Sequence, residues 1–284
     1  MKSASHSIPS PNTPSLVGLG PRQLVTESMQ RSRSLTVFGL LMWAIMIPAL
    51  LAWGIDERTL RGVSVWAKPL KFMASIGLFA LTTAWFIGLL PQTRRQGRAI
   101  RVVEWTIVIA GGLEIIYITV QAALGQGSHF NFSSPLHITM YSLMGAGAMA
   151  MTATQPLLAW QIAHHGRREL SPAWRDGVVT GLVLTFLLGA GAGGVLSAMQ
   201  PPAGSGLPGV DWHAAADLRP AHFLGMHAQQ FFPLAGALMA AWMPAAGRRW
   251  LVLFTVAYGA LWAWAMARGL DGAVLTVPAI YLPK

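Results

Sequence analysis

The chain has 284 residues, of which 54% are hydrophobic and only 11% charged, too few charges to coat a soluble globule of this size. Its net charge of +10 does not point to nucleic acid, because the basic residues follow the short loops between apolar runs and form no single patch. With no cysteine in the chain, disulfides, thiolate metal sites and C-x-x-C-H haem attachment are excluded, while the compartment stays open.

A hydrocarbon core of about 30 Å takes roughly 20 helical residues to cross. Seven apolar segments meet that length, near 35–54, 69–90, 100–124, 135–162, 176–199, 220–243 and 249–269. The sequence therefore predicts an all-α integral membrane protein, one bundle of about seven transmembrane helices over 35–269. Residues 1–34, rich in Ser and Pro, read as a disordered cytoplasmic tail, and 270–284 as a short extracytoplasmic tail. Thirteen of the twenty basic residues (Lys2, Arg22, Arg31, Arg33, Arg94, Arg95, Arg98, Arg101, Arg167, Arg168, Arg175, Arg248 and Arg249) precede the first span or fall in alternate loops. That bias predicts an N-terminus in the cytoplasm and a C-terminus outside, in a cytoplasmic (inner) membrane.

The first span reads as an anchor. In the loop after it Trp66 belongs to the aromatic belt, and Pro69 starts the second helix, where its missing N–H is not needed. Lys68 and Lys71, just inside that helix, either snorkel to the interface or meet an anionic group or buried acid. In the third span Gly111, Glu114, Tyr117 and Gln121 recur at helical spacing, which makes one stripe small or polar. Glu114 lies about 15 Å from the outer end, close to the midplane, where a carboxylate is paired, neutralised or at work. The loop 125–134 then supplies His129, Asn131 and two serines; Ser134 or Ser133 is placed to cap the fourth helix, whose first turn holds His137. The methionines of that helix read as adaptable packing.

In the fifth span Gly189, Gly191 and Gly194 satisfy G-x-G-x-x-G, but no strand precedes them, so a dinucleotide site is excluded. Gly181, Thr185, Gly189, Gly193 and Ser197 instead form a line of small residues at intervals of four, suited to close helix approach. The longest outer loop, 200–220, brings Asp211, Trp212, His213, Asp217 and Arg219; Asp217 and Arg219 are placed to pair at the start of the sixth span. Within that span His222, Gly225, Met226 and Gln229 share one face, while Phe223, His227, Gln230 and Leu234 share another. Five residues separate the histidines, which sets them roughly 140° apart and disfavours one metal ion taking both.

The stretches W-A-K-P-L-K-F, E-x-x-Y-x-x-x-Q to S-H-F-N, and G-L-P...W...D-L-R-P-A-H-F-L-G-M-H resemble an uncharacterised family of bacterial multi-pass membrane proteins, over about Val63 to Pro233. The resemblance implies a bacterial cytoplasmic-membrane protein and no particular reaction.

Three functions compete on the residues themselves. The first is an outward-facing polar cavity lined by Glu114, Gln121, His129, His222, His227 and Gln230, which binds or transports a small polar ligand or protons, with Lys68, Lys71, Asp217 and Arg219 at its outer surface. This reading expects Glu114 and Gln230 at about equal depth, facing each other across the cavity. The second is a redox protein with b-type haem or a metal on His129, His137, His222 or His227. The third is a sensor or assembly partner in which the polar residues only fix packing. No recognisable catalytic motif is present.

Overall fold

The computed structural model describes residues 20–167, 169–204, 206–207 and 211–276. Helix α1 (Pro21–Arg31) precedes α2 (Arg33–Ala44) and α3 (Met46–Ile55), which continue each other through Ile45. A small hairpin, β1 (Thr59–Leu60) and β2 (Val63–Ser64), leads to α4 (Ala67–Ile87), the short α5 (Gln92–Arg95), α6 (Arg98–Ala123) and α7 (Pro135–His165). Next come α8 (Pro172–Leu184), a π-helical turn (Thr185–Ala190) and α9 (Gly191–Leu196), which run on as one rod; α10 (Arg219–Trp242) and α11 (Gly247–Leu270) complete the chain.

Among the described residues, five helical stretches are long and apolar enough to cross a membrane: Arg33–Ile55, Ala67–Ile87, Arg98–Ala123, Pro172–Leu196 and Gly247–Leu270. Helices α7, with 31 residues, and α10, with 24, have the length but are less apolar. Large apolar side chains face outward along these stretches, among them Ile47, Leu51, Ile109, Leu113 and Val256. A water-soluble fold would not present so much contiguous apolar surface; a bilayer requires it.

Helix α1 falls within the stretch expected as a disordered tail, while residues 1–19 lie outside the described residues. Specific contacts hold α1 in place. The Arg31 guanidinium sits 3.7 Å over the Trp85 ring, donates to Trp85 O at 2.9 Å and pairs with Glu27 one turn back. Ser32 caps α2 through Leu35 N and also bonds Glu104 of α6. Arg31 is one of two guanidinium groups at the C-terminal end of α4: Arg95 donates to Gly88 O at the cap and to Leu90 O in the turn that follows, where the backbone N–H of Arg167 also reaches Leu89 O. Cations at a helix C-terminus satisfy its orphan carbonyls and oppose its dipole.

The main core lies where α2, α4, α6, α7 and α8 meet, with Leu35, Phe38, Ile76, Ile107, Leu158 and Leu182 buried together. The second contact that sets the architecture is a glycine seam between the α8–α9 rod and the antiparallel α10. A Cβ on Gly177 would lie 2.6 Å from Phe232 O, one on Gly181 2.7 Å from Ala228 O, and one on Gly225 2.3 Å from Gly189 N. Nothing larger than hydrogen fits at these positions, so the expected small-residue line packs backbone against backbone. Thr185 adds polar bonds, its Oγ1 accepting from Gln229 N at 2.9 Å and donating to Gly181 O.

Candidate functional site

The end of the bundle that holds the hairpin, here called outer as the sequence expects, is closed by three segments that lock together. Arg61 and Gly62 form the hairpin tip with φ of 56° and 84°, a pair of left-handed residues that matches the turn of a two-residue hairpin. This tip docks on the long outer loop: Arg61 donates to Pro201 O at 2.7 Å, and Gly204 N donates to Arg61 O. Asp56 holds the hairpin's base, accepting from Arg58 and, at 2.8 Å, from Trp66 Nε1, while Arg58 reaches over to the C-terminal carbonyl of Ala123 on α6. Those donors hold the Asp56 carboxyl well below the usual carboxylate range.

The long outer loop is tied down by Asp217. Its buried carboxylate accepts from His213 N, Arg219 N and the Arg219 guanidinium, and Arg219 also donates to Asp211 O at 2.6 Å. Burial alone would raise the Asp217 pKa, but these donors outweigh it and hold the group below its ordinary value. The pair expected at the start of α10 thus forms, and it serves as a structural knot. Lys71 lies 3.9 Å from Asp211 in the same knot.

The loop 124–134 completes the closure and contains the candidate site. Tyr141 of α7 packs against His129, Phe130 and Phe132, with ring centroids at 5.5, 5.4 and 5.8 Å, and anchors itself by donating to Ser197 O at 2.6 Å. That packing holds Phe130 at a φ of 53°, a left-handed conformation unusual for a bulky residue. Asn131 donates to Gly127 O and accepts from Ser133, so its side chain is committed within the loop, and Ser134 caps α7 through His137 N. A cleft of about 510 Å³ opens here; its polar lining is Arg61, Gln126, His129, Asn131, Ser133 and Gln200.

Beneath the cleft is a buried polar group. The His129 ring also lies 5.8 Å from Phe72 of α4, and the ammonium of Lys68, one turn earlier, is 5.6 Å from that same ring. The charge of Lys68 acts on both His129 and the buried Glu114 of α6. Burial chiefly, and then the Lys68 charge, push the His129 imidazole well below its ordinary value, so it is neutral at pH 7. Among the described residues Glu114 makes no hydrogen bond or direct ion pair, and Tyr117 Oη and Gln121 Oε1, on the same helix stripe, are buried without a partner. A buried polar atom left unpaired costs about 1–3 kcal/mol, which makes this carboxylate and these two atoms the candidate site of the bundle.

Of the residues expected to share one cavity, Glu114 and His129 both feel the charge of Lys68 and Gln121 lies on the Glu114 stripe of α6, whereas His222, His227 and Gln230 form a second group on α10. His222 donates from Nδ1 to Gly189 O at 2.9 Å, across the glycine seam. His227 donates to Gln230 Oε1 at 3.2 Å, and Gln230 Nε2 donates to Thr82 of α4 at 3.1 Å; the His227 ring stacks 4.2 Å from Phe223, which touches Trp212 above it. Equal depth for Glu114 and Gln230 does not hold. Gly111 abuts Ile76, so Glu114, a turn nearer the outer end, is level with Phe72 and Met73 of the antiparallel α4. Gln230 meets α4 at Thr82, nine or ten residues, about 14 Å, further in. Among the described residues no hydrogen bond or ion pair joins the two groups. The glycine seam is the reason: it draws α10 onto α8 and α9, while α6 packs on α4 and α7.

The four histidines considered for haem or metal do not gather. His137 bonds Ser134 Oγ at 2.7 Å through Nδ1 and Gln126 Oε1 through Nε2, His129 bonds Ser128, and the two on α10 face different partners. No group of three metal-ligating side chains occurs among the described residues.

The hairpin, the Asp56 clasp and the Thr82 partner of Gln230 went undetected in the sequence. The first had a usable signal, Arg61-Gly62 between Leu60 and Val63; the other two are long-range contacts with no local signature. Comparison with protein families, with curated proteins and with solved structures finds no match to this chain.

Proposed function

We propose that this is a seven-span protein of a bacterial cytoplasmic membrane that takes a small polar solute from the outer cleft and moves it in a proton-linked manner. The observation that carries the reading is the buried group under the cleft: Lys68 and His129 within electrostatic reach, Glu114 without a hydrogen-bond partner, and the unpaired Tyr117 Oη and Gln121 Oε1 beside it. His222, His227 and Gln230 on α10 are each bonded to a protein partner, as helix-packing groups are. Glu114 and its neighbours are left for something that comes and goes. Three groups that can each hold or release a proton, each sensing another's charge, give a natural coupling of occupancy to protonation.

The seven-span count rests on the lengths of α7 and α10 added to the five apolar stretches. The orientation, N-terminus inside, rests on the arginines: Arg31, Arg95 and Arg167 all meet the C-terminal end of α4, opposite the end that carries the cleft. The test is uptake of small polar solutes into proteoliposomes over a range of pH, comparing the native chain with Glu114→Gln. The reading expects Glu114→Gln to abolish the pH dependence. Uptake with unaltered pH dependence removes the acid from the mechanism.

A further inference from the structure

A groove at the other end of the bundle has the features of a lipid site. It runs between α6 and α7 with a volume of about 880 Å³, independent of the outer cleft. Arg98 and Arg101 stand at its mouth, Val102, Trp105, Ile109 and Leu113 form one wall along α6, and Gly147 of α7 forms the other. These α6 residues recur at intervals of three and four, so they make a single stripe. From Val102 to Leu113 the stripe is about 16 Å long, close to the roughly 15 Å depth of one leaflet.

The charge at the mouth meets no counter-charge among the described residues: no carboxylate there pairs with Arg98 or Arg101. The first turn of α6 adds to the demand for an anion, since Gly97 offers no side-chain cap and the turn has no acidic residue. A helix N-terminus with free N–H groups favours negative charge, and guanidinium groups bind phosphate through paired N–H donors. Glu104, the nearest acid along the helix, is engaged with Ser32. The wall is kept low by Gly147, where a Cβ would meet only Ala110 at 3.6 Å.

We propose that this groove binds one anionic phospholipid of the arginine-bearing leaflet, with its phosphate on Arg98, Arg101 and the α6 N-terminus and an acyl chain along the Val102–Leu113 stripe. The occupant is an anionic phospholipid because the apolar length fits a leaflet and the mouth carries two arginines with no acid between them. A zwitterionic lipid brings its own cation and fits the mouth less well.

The test is native mass spectrometry of the purified full chain titrated with phosphatidylglycerol or with phosphatidylcholine of the same chain length. Wild type is expected to retain phosphatidylglycerol in clear preference. The double variant Arg98→Gln/Arg101→Gln is expected to bind it roughly tenfold more weakly and lose the preference. Gly147→Phe, which fills the groove with the charge intact, is expected to lower retention as well; both variants should keep the wild-type melting temperature within a few degrees. Equal retention of the two lipids by wild type would overturn the proposal, as would an undiminished preference in the double variant. Protein dimers retaining no lipid would assign the groove to a second copy and overturn it too.

Discussion

Replacing Gly225 by Ala adds one methyl group at the tightest point of the bundle. Its Cβ would lie 2.3 Å from Gly189 N, 2.5 Å from Gly189 Cα and 2.5 Å from the Leu188 carbonyl carbon. Ordinary contacts between such atoms are about 3.5–4.0 Å, so α10 must move off the α8–α9 rod by more than about 1 Å. Backbone cannot rotate aside as a side chain can. Overpacking of this sort costs about 1–3 kcal/mol. The same displacement stretches two hydrogen bonds that span the seam, His222 Nδ1 to Gly189 O and Gln229 N to Thr185 Oγ1, each 2.9 Å; their net worth is about 0.5–1.5 kcal/mol apiece. Against this, alanine gains up to about 1 kcal/mol over glycine in helix propensity. The expected net loss is about 2–4 kcal/mol, a fall in melting temperature of roughly 5–15 °C for a chain of this size. Gly191→Ala and Gly194→Ala provide the internal control, because a Cβ at either meets nothing within 4 Å; both should be neutral or stabilising by up to about 1 kcal/mol. Thermal unfolding in nanodiscs, followed by circular dichroism, compares the three. If Gly225→Ala melts with the two controls, the glycine seam is not the close contact described.

Asp217→Ala removes the acceptor for four donor groups of the outer knot. Breaking a buried pair costs about 3–5 kcal/mol, reduced here to about 2–3 because Arg219 is part exposed and keeps Asp211 O; chemical or thermal unfolding measures it, and a wild-type curve refutes it. His129 is held neutral in the folded chain, its pKa lying well below 6.5. The unfolded chain therefore binds a proton that the folded chain does not, so stability is full above about pH 6.5 and is lost as the pH falls toward the folded value. His129→Gln should remove that part of the acid destabilisation, seen as a shallower fall in melting temperature below pH 6.5, and an unchanged slope would contradict the burial of the ring.

The long helices were legible because crossing a bilayer demands long apolar runs; the expected boundaries fall within a few residues of theirs, and five of these stretches are long and apolar enough to span a membrane. Helical counting also placed His222 and His227 on different faces, and the structure gives them different neighbours, Gly189 for one and Gln230 for the other. The line Gly181, Thr185, Gly189 was readable for the same reason, since a four-residue repeat of small side chains has one main use. What counting along a helix does not supply is which helix lies opposite and at what level. Glu114 and Gln230 looked level when each was measured from its own outer end, but the seam and the Gln230–Thr82 bond set α10 in a different register against α4. Composition likewise concealed α1, where a stacked, ion-paired arginine holds a segment rich in polar residues against α4.

The central claim is that the cleft at His129 leads from the outer surface down to Gln121 and Glu114. Because the chain has no native cysteine, single cysteines can be placed without background. Asn131→Cys, Gln121→Cys and, as a lipid-facing control, Val256→Cys would be introduced one at a time and reconstituted in sealed vesicles of known orientation. A small charged, membrane-impermeant thiosulfonate is then added from one side. The account predicts that Asn131→Cys and Gln121→Cys react from the face opposite the N-terminus, with Gln121→Cys slower, and that Val256→Cys does not react. No reaction at Gln121→Cys from that face, or reaction only from the N-terminal side, would contradict it.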